Sequence, residues 1–271
     1  MKKKLIVVAD DFGFSEAYNY GVIKAYKEGI VTVASLMSNM AAAKHAVDLA
    51  KEYPGLCLAQ HTNFVQGFPV SKAEEVPSMV DETGEFYRSY QWAPVGFNAA
   101  DKCKGTVVVS YEDAKKETIA QLNRFKELVG EYPIHFEGHS VITPNIEKAF
   151  NEVSEEYHLH CMTTKEENDD FYYAHELVYG EKGEFYINAI QSPQGQKVED
   201  FINSNGYGLL ESPYEYNVMH FHPGYLDAYV LDHTSLTIQR CRDLQVLTSP
   251  QVKEWIKAHD IELVNFNALR K

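Results

Sequence analysis

Short apolar runs alternate along the chain with longer segments in which apolar residues recur at helical spacing. Residues 5–9 are continuously apolar, as expected for a strand that is buried on both faces. The next segment, 15–27, predicts a helix, because Ser15 suits the N-cap and Gly29 suits the C-terminal stop. The chain therefore begins with a strand followed by a helix.

The same alternation continues along the rest of the chain. Further strands are predicted at 31–35, 56–60, 134–137, 158–162, 185–190, 216–221 and 261–264. Further helices are predicted at 41–51, 111–129, 145–157, 235–247 and 250–259. Such alternation is typical of parallel strands joined by helical crossovers. The pattern therefore predicts an α/β fold, either a barrel or an open doubly wound sheet.

Residues 64–110 interrupt this alternation with three prolines, four glycines and a cluster of aromatic residues. A segment of this length without regular structure is usually functional when it lies inside a compact domain. We expect a loop insertion over one end of the sheet. No Pro/Gly/Ser-rich linker divides the chain, so we expect a single domain over residues 1–271.

Composition and charge narrow the class of protein. The 271 residues include 25 Lys+Arg and 39 Asp+Glu, and the net charge of −14 disfavours nucleic-acid binding. No segment approaches the ~20 apolar residues that span a bilayer. The basic start and apolar run are broken by Asp10 and Asp11 too early for a signal peptide. We expect a soluble, cytoplasmic protein that binds neither nucleic acid nor a membrane.

Residues able to bind a metal ion or transfer protons lie at the ends of several predicted strands. They are Asp10, Asp11, His61, His139, His220 and His222. In a parallel α/β fold the carboxyl ends of the strands lie together on one face, where active sites form. We therefore expect distant segments of the chain to converge at one site.

Each of these positions also has a structural explanation. Asp10 and Asp11 precede a glycine and a serine, a setting typical of turns and helix caps. His61 could be a half-buried histidine bonded to a neighbouring loop. One of the two histidines His220 and His222 could likewise be structural.

The residues His135, Glu137 and His139 form an H-x-E-x-H run. Alternate residues share one face of a strand, so this run differs from the helical H-E-x-x-H of zinc proteases. We expect His139 to reach the site from the loop after the strand. His135 could support the site from behind or belong to the core.

Two histidines and a carboxylate around a divalent ion form a common open site. With a second carboxylate and a further histidine, these groups can hydrolyse an amide or ester. The metal polarises a carbonyl and acidifies a water, the carboxylate takes the proton, and the histidine protonates the leaving group. The chain has no G-x-S-x-G, P-loop or G-x-G-x-x-G motif. Metal-assisted hydrolysis is therefore the leading hypothesis.

The residues that carry this chemistry resemble a known family. The LIVVADDFGF run at 5–14, His61, and His222-Pro223-Gly224 with Asp227 resemble the YdjC-like carbohydrate deacetylases, best known as chitooligosaccharide deacetylases. The resemblance implies an irregular TIM-like (β/α) barrel of the glycoside hydrolase/deacetylase type. It also implies a homodimer, and an enzyme that removes acetyl groups from N-acetylglucosamine units of short chitooligosaccharides, namely diacetylchitobiose or its 6-phosphate.

The resemblance also assigns roles to residues of this chain. Asp11, His61 and His139 would hold one divalent metal ion. Asp10 would be the general base, and His222 the acid or charge stabiliser for the departing amine. The family is associated with Mg²⁺, whereas two imidazole ligands favour Zn²⁺. Residues expected to contact the sugar are Tyr90, Trp92, His220 and Asp227.

One segment departs from the family pattern. Family members typically carry D-S-H-H-H-V-H after the fourth strand, whereas residues 137–143 read EGHSVIT. His139 is kept, and Glu137 replaces a shorter acid. The departure leaves open a carbohydrate-binding or sensing barrel without turnover, or a metal-dependent hydrolase of another amide or ester.

Two further alternatives concern the carboxylates and the aromatic residues. A glycosidase usually has its two acids ~5–9 Å apart on different elements, so the adjacent Asp10 and Asp11 fit that class poorly. Tyr90 and Trp92 could stack on a sugar ring, or they could pack the insertion onto the barrel.

Overall fold

The computed structural model describes residues 2–97, 99–163, 166–177 and 192–271, and the strand predicted at 185–190 lies outside them. The described strands are β1 (Lys4–Phe12), β2 (Val33–Leu36), β3 (Cys57–Thr62), β4 (His135–Gly138), β5 (His160–Cys161), β6 (His175–Glu176), β7 (Tyr216–Phe221) and β8 (Glu262–Val264). The described α-helices are α1 (Glu16–Glu28), α2 (Ala43–Ala50), α3 (Ala99–Lys102), α4 (Tyr111–Val129), α5 (Pro144–Tyr157), α6 (Val198–Asn203), α7 (Ala228–His233), α8 (Ile238–Thr248) and α9 (Pro250–Ala258).

The strands form one sheet in the order β5-β4-β3-β2-β1-β7-β6, with β8 also paired to β1. Five strand pairings are parallel: β1 with β7, β1 with β8, β3 with β4, β4 with β5, and β6 with β7. The prediction of an α/β fold with parallel strands is therefore confirmed. Among the described strands, β5 and β6 end this order without pairing to each other, so closure into a TIM-like barrel stays a prediction.

The chain forms two compact units. The first comprises Met1–Ser35, His45–Leu58 and Glu166–Lys271, and the second comprises Leu36–Lys44 and Ala59–Lys165. In the first unit β1 is buried along almost its whole length, and α1 packs against α8. In the second unit α4 packs against α5, and a cluster of buried aromatic and aliphatic side chains forms the core.

Local signals in the sequence account for where the main helices begin and end. Ser15 accepts a hydrogen bond from the Tyr18 amide at 3.2 Å and begins α1, as predicted. The amide of Asp113 donates to the N-cap Ser110 of α4, which ends at Gly130 with φ of 107°. No helix among the described residues is both long and apolar enough to cross a membrane.

Residues 64–110 contain two 3₁₀ turns, Ala73–Glu75 and Ser89–Gln91, in addition to α3. Two carboxylates of α4 hold this segment. Glu117 accepts hydrogen bonds from the Val70 and Ser71 amides at 2.8 and 2.9 Å, and Asp113 accepts one from the Ser78 amide at 2.8 Å. These contacts satisfy backbone groups that regular structure would otherwise pair.

Candidate active site

The end of β1 in the first unit carries two buried carboxylates. Asp10 and Asp11 are 5% and 0% exposed. The φ angle of Asp11 is 61°, in the left-handed region that disfavours residues with a β-carbon and that Asp tolerates better than most. Backbone strain of this kind clusters at functional sites, where the surrounding structure holds it. The environments of the two carboxylates differ.

Asp11 forms an ion pair with Arg240 of α8. The distance from Arg240 Nη2 to Asp11 Oδ2 is 2.8 Å, and Arg240 is 1% exposed. Its Nε donates to the Leu236 carbonyl at 2.9 Å, and its guanidinium lies 4.8 Å from the Tyr18 ring centroid. Burial lowers the pKa of Arg240, but Tyr18 and Asp11 outweigh this effect and raise it above its ordinary value. The guanidinium of Arg240 is always positively charged, so this ion pair holds the Asp11 carboxylate in place.

Asp10 lies beside two histidines, because the parallel register pairs Val8 with His220 and brings the ends of β1 and β7 together. Asp10 Oδ1 is 3.2 Å from His220 Nδ1, and Asp10 Oδ2 is 3.9 Å from His222 Nε2. The first distance is that of a hydrogen bond and the second is longer than one. The predicted base and the predicted acid are therefore neighbours in the first unit.

The Tyr18 hydroxyl donates to the backbone carbonyl of Asp10 at 2.9 Å. Burial raises the pKa of Tyr18 well above its ordinary value, which keeps the hydroxyl protonated as a donor. Tyr18 reaches this position because α1 approaches the turn after β7 closely. A β-carbon on Gly21 would lie 2.5 Å from Gly224 Cα, and one on Gly224 would lie 2.0 Å from Cδ2 of Tyr18, so neither glycine tolerates a larger side chain.

His222 is held through its backbone. Its amide donates to Asp243 Oδ2 at 2.7 Å, and the other oxygen of Asp243 accepts from the Gln196 side chain, to which the Tyr207 hydroxyl donates. Burial raises the pKa of Asp243 to about 6, although the His222 amide and Gln196 oppose this effect. This network fixes the end of β7.

Arg240 and Asp243 were not among the residues predicted from the sequence. They lie three residues apart on α8, on the same helical face as Leu244 and Leu247, and all four are buried. Charged residues at apolar-face positions of a helix are the signal that could have identified them.

The second unit contains a pair of adjacent imidazoles whose rings meet edge to face. His61 lies within β3, one residue beyond the predicted strand, and His139 follows β4 as predicted. His61 Nε2 is 3.1 Å from His139 Nδ1. Metal–nitrogen distances of about 2.1 Å place two nitrogens on one ion roughly 3.0–3.4 Å apart. The spacing of this pair therefore fits two ligands of one small cation.

Glu137 and two more histidines lie behind this pair. Glu137 Oε1 is 3.4 Å from His61 Nδ1, and Glu137 Oε2 is 3.4 Å from His135 Nε2. His135 Nδ1 is 2.7 Å from His160 Nδ1. Burial, reinforced by His135, lowers the pKa of His160 well below its ordinary value, so His160 is neutral. His135 is fully buried and contacts both Glu137 and His160, which fits either of the two alternatives left open by the sequence.

The residues predicted to contact a sugar have different surroundings. Tyr90 is 63% exposed, whereas Trp92 is fully buried and donates its indole N–H to the Tyr87 carbonyl at 3.2 Å. The burial of Trp92 favours the packing alternative over stacking. Asp227 caps α7 by accepting from the Val230 amide at 2.9 Å, and His220 is buried against Asp10.

The described residues include carboxylate and imidazole groups that could hold a metal ion. They are Asp10, Asp11, His61, Glu137 and His139. Carboxylate oxygens suit Mg²⁺, and imidazole nitrogens suit Zn²⁺ and similar transition ions.

Comparison with known proteins gives consistent results. A family model described as YdjC-like protein matches residues 4–258. Carbohydrate deacetylase 2 of Listeria innocua is 30% identical over 273 residues, which cover 99% of each chain. The carbohydrate deacetylase of Brevibacillus brevis is 32% identical over 98% of this chain and 99% of its own. A crystal structure from Enterococcus faecalis V583, provisionally described as a cellobiose-phosphate cleavage protein, has a similar fold, with a TM-score of 0.80 and 23% identity over 100% of both chains.

Proposed function

Because this chain belongs to the YdjC-like protein family, we propose that it is a carbohydrate deacetylase, a hydrolase that releases acetate from an N-acetylated sugar. Its relatives in Listeria innocua and Brevibacillus brevis are named carbohydrate deacetylases and match almost the whole chain. The structural observation that carries the proposal is the buried Asp10 carboxylate beside His220 and His222. This arrangement provides adjacent groups that can take up and release a proton.

We propose that Asp11, His61 and His139 hold one divalent cation. The 3.1 Å separation of the two imidazole nitrogens supports this assignment. Arg240 pairs with Oδ2 of Asp11 and so holds this carboxylate in place. When bound, such an ion would polarise the acetyl carbonyl and acidify a water molecule. The ion is Mg²⁺ by family resemblance or Zn²⁺ by ligand chemistry.

The proton transfers belong to residues of the first unit. Asp10 accepts a proton from the attacking water, and the contact with His220 Nδ1 orients its carboxylate. His222 donates a proton to the nitrogen of the departing sugar amine. The hydrogen bond of the His222 amide and the contact between Asp10 and Tyr18 hold the proposed acid and base in place. The two groups therefore do not have to be ordered during the reaction.

The proposed substrates are short chitooligosaccharides, in particular diacetylchitobiose or its 6-phosphate. Of the predicted sugar contacts, the exposed Tyr90 stays in this proposal as a surface for the ring. The irregular TIM-like barrel and the homodimer implied by the resemblance also stay proposals. Light scattering of the purified chain tests the homodimer.

The direct test measures acetate release from N-acetylated mono- and oligosaccharides, with and without a chelator and with added Mg²⁺ or Zn²⁺. We expect release from the disaccharide that stops with chelator and returns with metal. Tight sugar binding without acetate release, in metal-replete protein, would select the sensing alternative. Cleavage of the glycosidic bond that persists with chelator would select a glycosidase.

A further inference from the structure

The proposed mechanism uses only His139 of the H-x-E-x-H run, which begins on β4 and ends just after it. The other two residues belong to a line of buried side chains in the second unit. His160, His135, Glu137 and His61 are between 0% and 5% exposed. Successive contacts along this line measure 2.7, 3.4 and 3.4 Å. The register that pairs His61 with Glu137 on neighbouring strands, and His135 with His160 on the next pair, places them side by side.

The hydrogen-bonding rules of the side chains assign a proton position to each ring. A carboxylate that has lost its proton only accepts hydrogen bonds, so Glu137 in that form favours a proton on each ring nitrogen that faces it. These nitrogens are His61 Nδ1 and His135 Nε2. A neutral imidazole has one donor and one acceptor nitrogen, which leaves the opposite nitrogen of each ring as the acceptor.

The same rule extends the assignment in both directions. His135 Nδ1 accepts, so the facing Nδ1 of His160 donates to it. The lowered pKa of His160, caused first by burial, agrees with a neutral ring. His61 Nε2 is the acceptor that faces His139 Nδ1 at 3.1 Å. A lone pair on His61 Nε2 is what a metal ion requires.

We propose that Glu137 is a positioning residue that fixes the tautomer of His61, with His135 and His160 holding Glu137 in turn. The inference rests on the proposed function only in assigning His61 Nε2 to a metal ion. Glutamate suits this role here because its two oxygens contact a histidine on each side. Removing a carboxylate that orients a metal-binding histidine typically lowers metal affinity about 10–100-fold.

The first test is the ¹⁵N NMR spectrum of the histidine rings in the metal-free, full-length protein, with His61 assigned by comparison with His61→Gln. We expect His61 to be protonated at Nδ1 in the wild type and to become a mixture of tautomers in Glu137→Gln. Glu137→Asp should largely retain the Nδ1 proton. If the spectrum of the wild type showed His61 protonated at Nε2, that result alone would overturn the proposal.

Glu117→Gln is the matched control. Glu117 is a buried carboxylate of the same unit, and its contacts include the Val70 and Ser71 amides and Gln121. The same chemical change there should lower stability but leave the His61 tautomer as in the wild type. An equal change of tautomer in Glu117→Gln would show a general loosening of the unit and would overturn the proposal.

The second test measures Zn²⁺ affinity by competition with a chromophoric chelator. Glu137→Gln should bind Zn²⁺ about 10–100-fold more weakly, Glu137→Asp less so, and Glu117→Gln as tightly as the wild type. Unchanged affinity in Glu137→Gln would overturn the proposal. Both tests are independent of the sugar, so a protein that releases no acetate would refute the proposed function and leave this inference standing.

Discussion

Asp10 and Asp11 are neighbours in the sequence, yet they face different kinds of charge. Asp11 contacts the guanidinium of Arg240, which does not lose its proton at any ordinary pH. Asp10 contacts two imidazoles, a type of side chain that can both donate and accept a proton. This difference suits Asp11 for a permanent electrostatic role and Asp10 for proton transfer.

We expect Asp10→Asn to abolish turnover while leaving the metal bound, because the amide cannot accept the proton of the attacking water. The loss in acetate release should be at least the 10²–10⁴-fold that general bases typically contribute. Asp11→Asn should instead lower metal affinity, because it removes a charged ligand. Metal analysis of the purified variants separates the two. Equal metal content in both would contradict this division of roles.

Arg240→Met should destabilise the protein by about 3–5 kcal/mol, because it leaves the buried Asp11 carboxylate without its compensating charge. Arg240→Lys keeps the charge but loses the bond from Nε to the Leu236 carbonyl, so its loss should be smaller. Urea unfolding measures both. If the two variants were equally stable, the charge on residue 240 would not be what holds Asp11.

At the scale of elements, α8 positions two parts of the candidate site. Arg240 and Asp243 lie one helical turn apart on its buried face and contact Asp11 and the His222 amide respectively. One helix therefore contacts both the end of β1 and the end of β7 and holds them in a fixed relative position. Two of the five buried residues of this helix are charged, so polar contacts replace part of its apolar packing.

The pKa of Asp243 predicts a pH dependence of stability. Burial raises this pKa to about 6, above the ordinary value of 3.8, so the native state holds the proton more tightly than the unfolded state. The stabilisation is therefore complete below about pH 3.8 and is lost as the pH rises through about 6. The difference corresponds to roughly 3 kcal/mol.

This dependence can be measured by comparing urea unfolding of the wild type and Asp243→Asn between pH 4 and 8. Asparagine does not ionise, so the stability of the wild type relative to the variant should fall as the pH rises and level off above about pH 7. A constant difference across this range would show that Asp243 does not titrate in the native state as described.

At the scale of the whole molecule, the net charge of −14 bears on the choice of substrate. A sugar 6-phosphate is an anion and is repelled at long range by this charge, whereas the neutral disaccharide is not. Added salt screens such repulsion, with a Debye length of about 10 Å at 0.1 M. The two proposed substrates should therefore respond differently to ionic strength.

We expect kcat/KM for the 6-phosphate to rise between low salt and about 0.2 M NaCl, while that for neutral diacetylchitobiose stays within about twofold. Steady-state acetate release at several salt concentrations measures both values, and potassium chloride serves as the control for a specific ion effect. A fall of kcat/KM for the phosphorylated sugar would instead indicate a local cationic subsite that overrides the net charge.

Local patterns in the sequence determined the elements of this protein and the residue types at its strand ends. The predicted bounds of α4 and β7 match the structure, and β1 and α1 differ only at their ends, because periodicity and capping act within a few residues. The same signals did not predict the two-residue β6 or the six-residue α7, which are too short to show a period.

Only the tertiary structure decided which side chains become partners. The pairs Asp11–Arg240 and Asp10–His220 join residues more than 200 positions apart, and the line from His160 to His61 follows from the register of three strands. The sequence likewise left undecided whether Trp92 is buried, and the structure shows that it is. Strand register and helix packing set these contacts, and they arise from the summed burial of many side chains rather than from any local pattern.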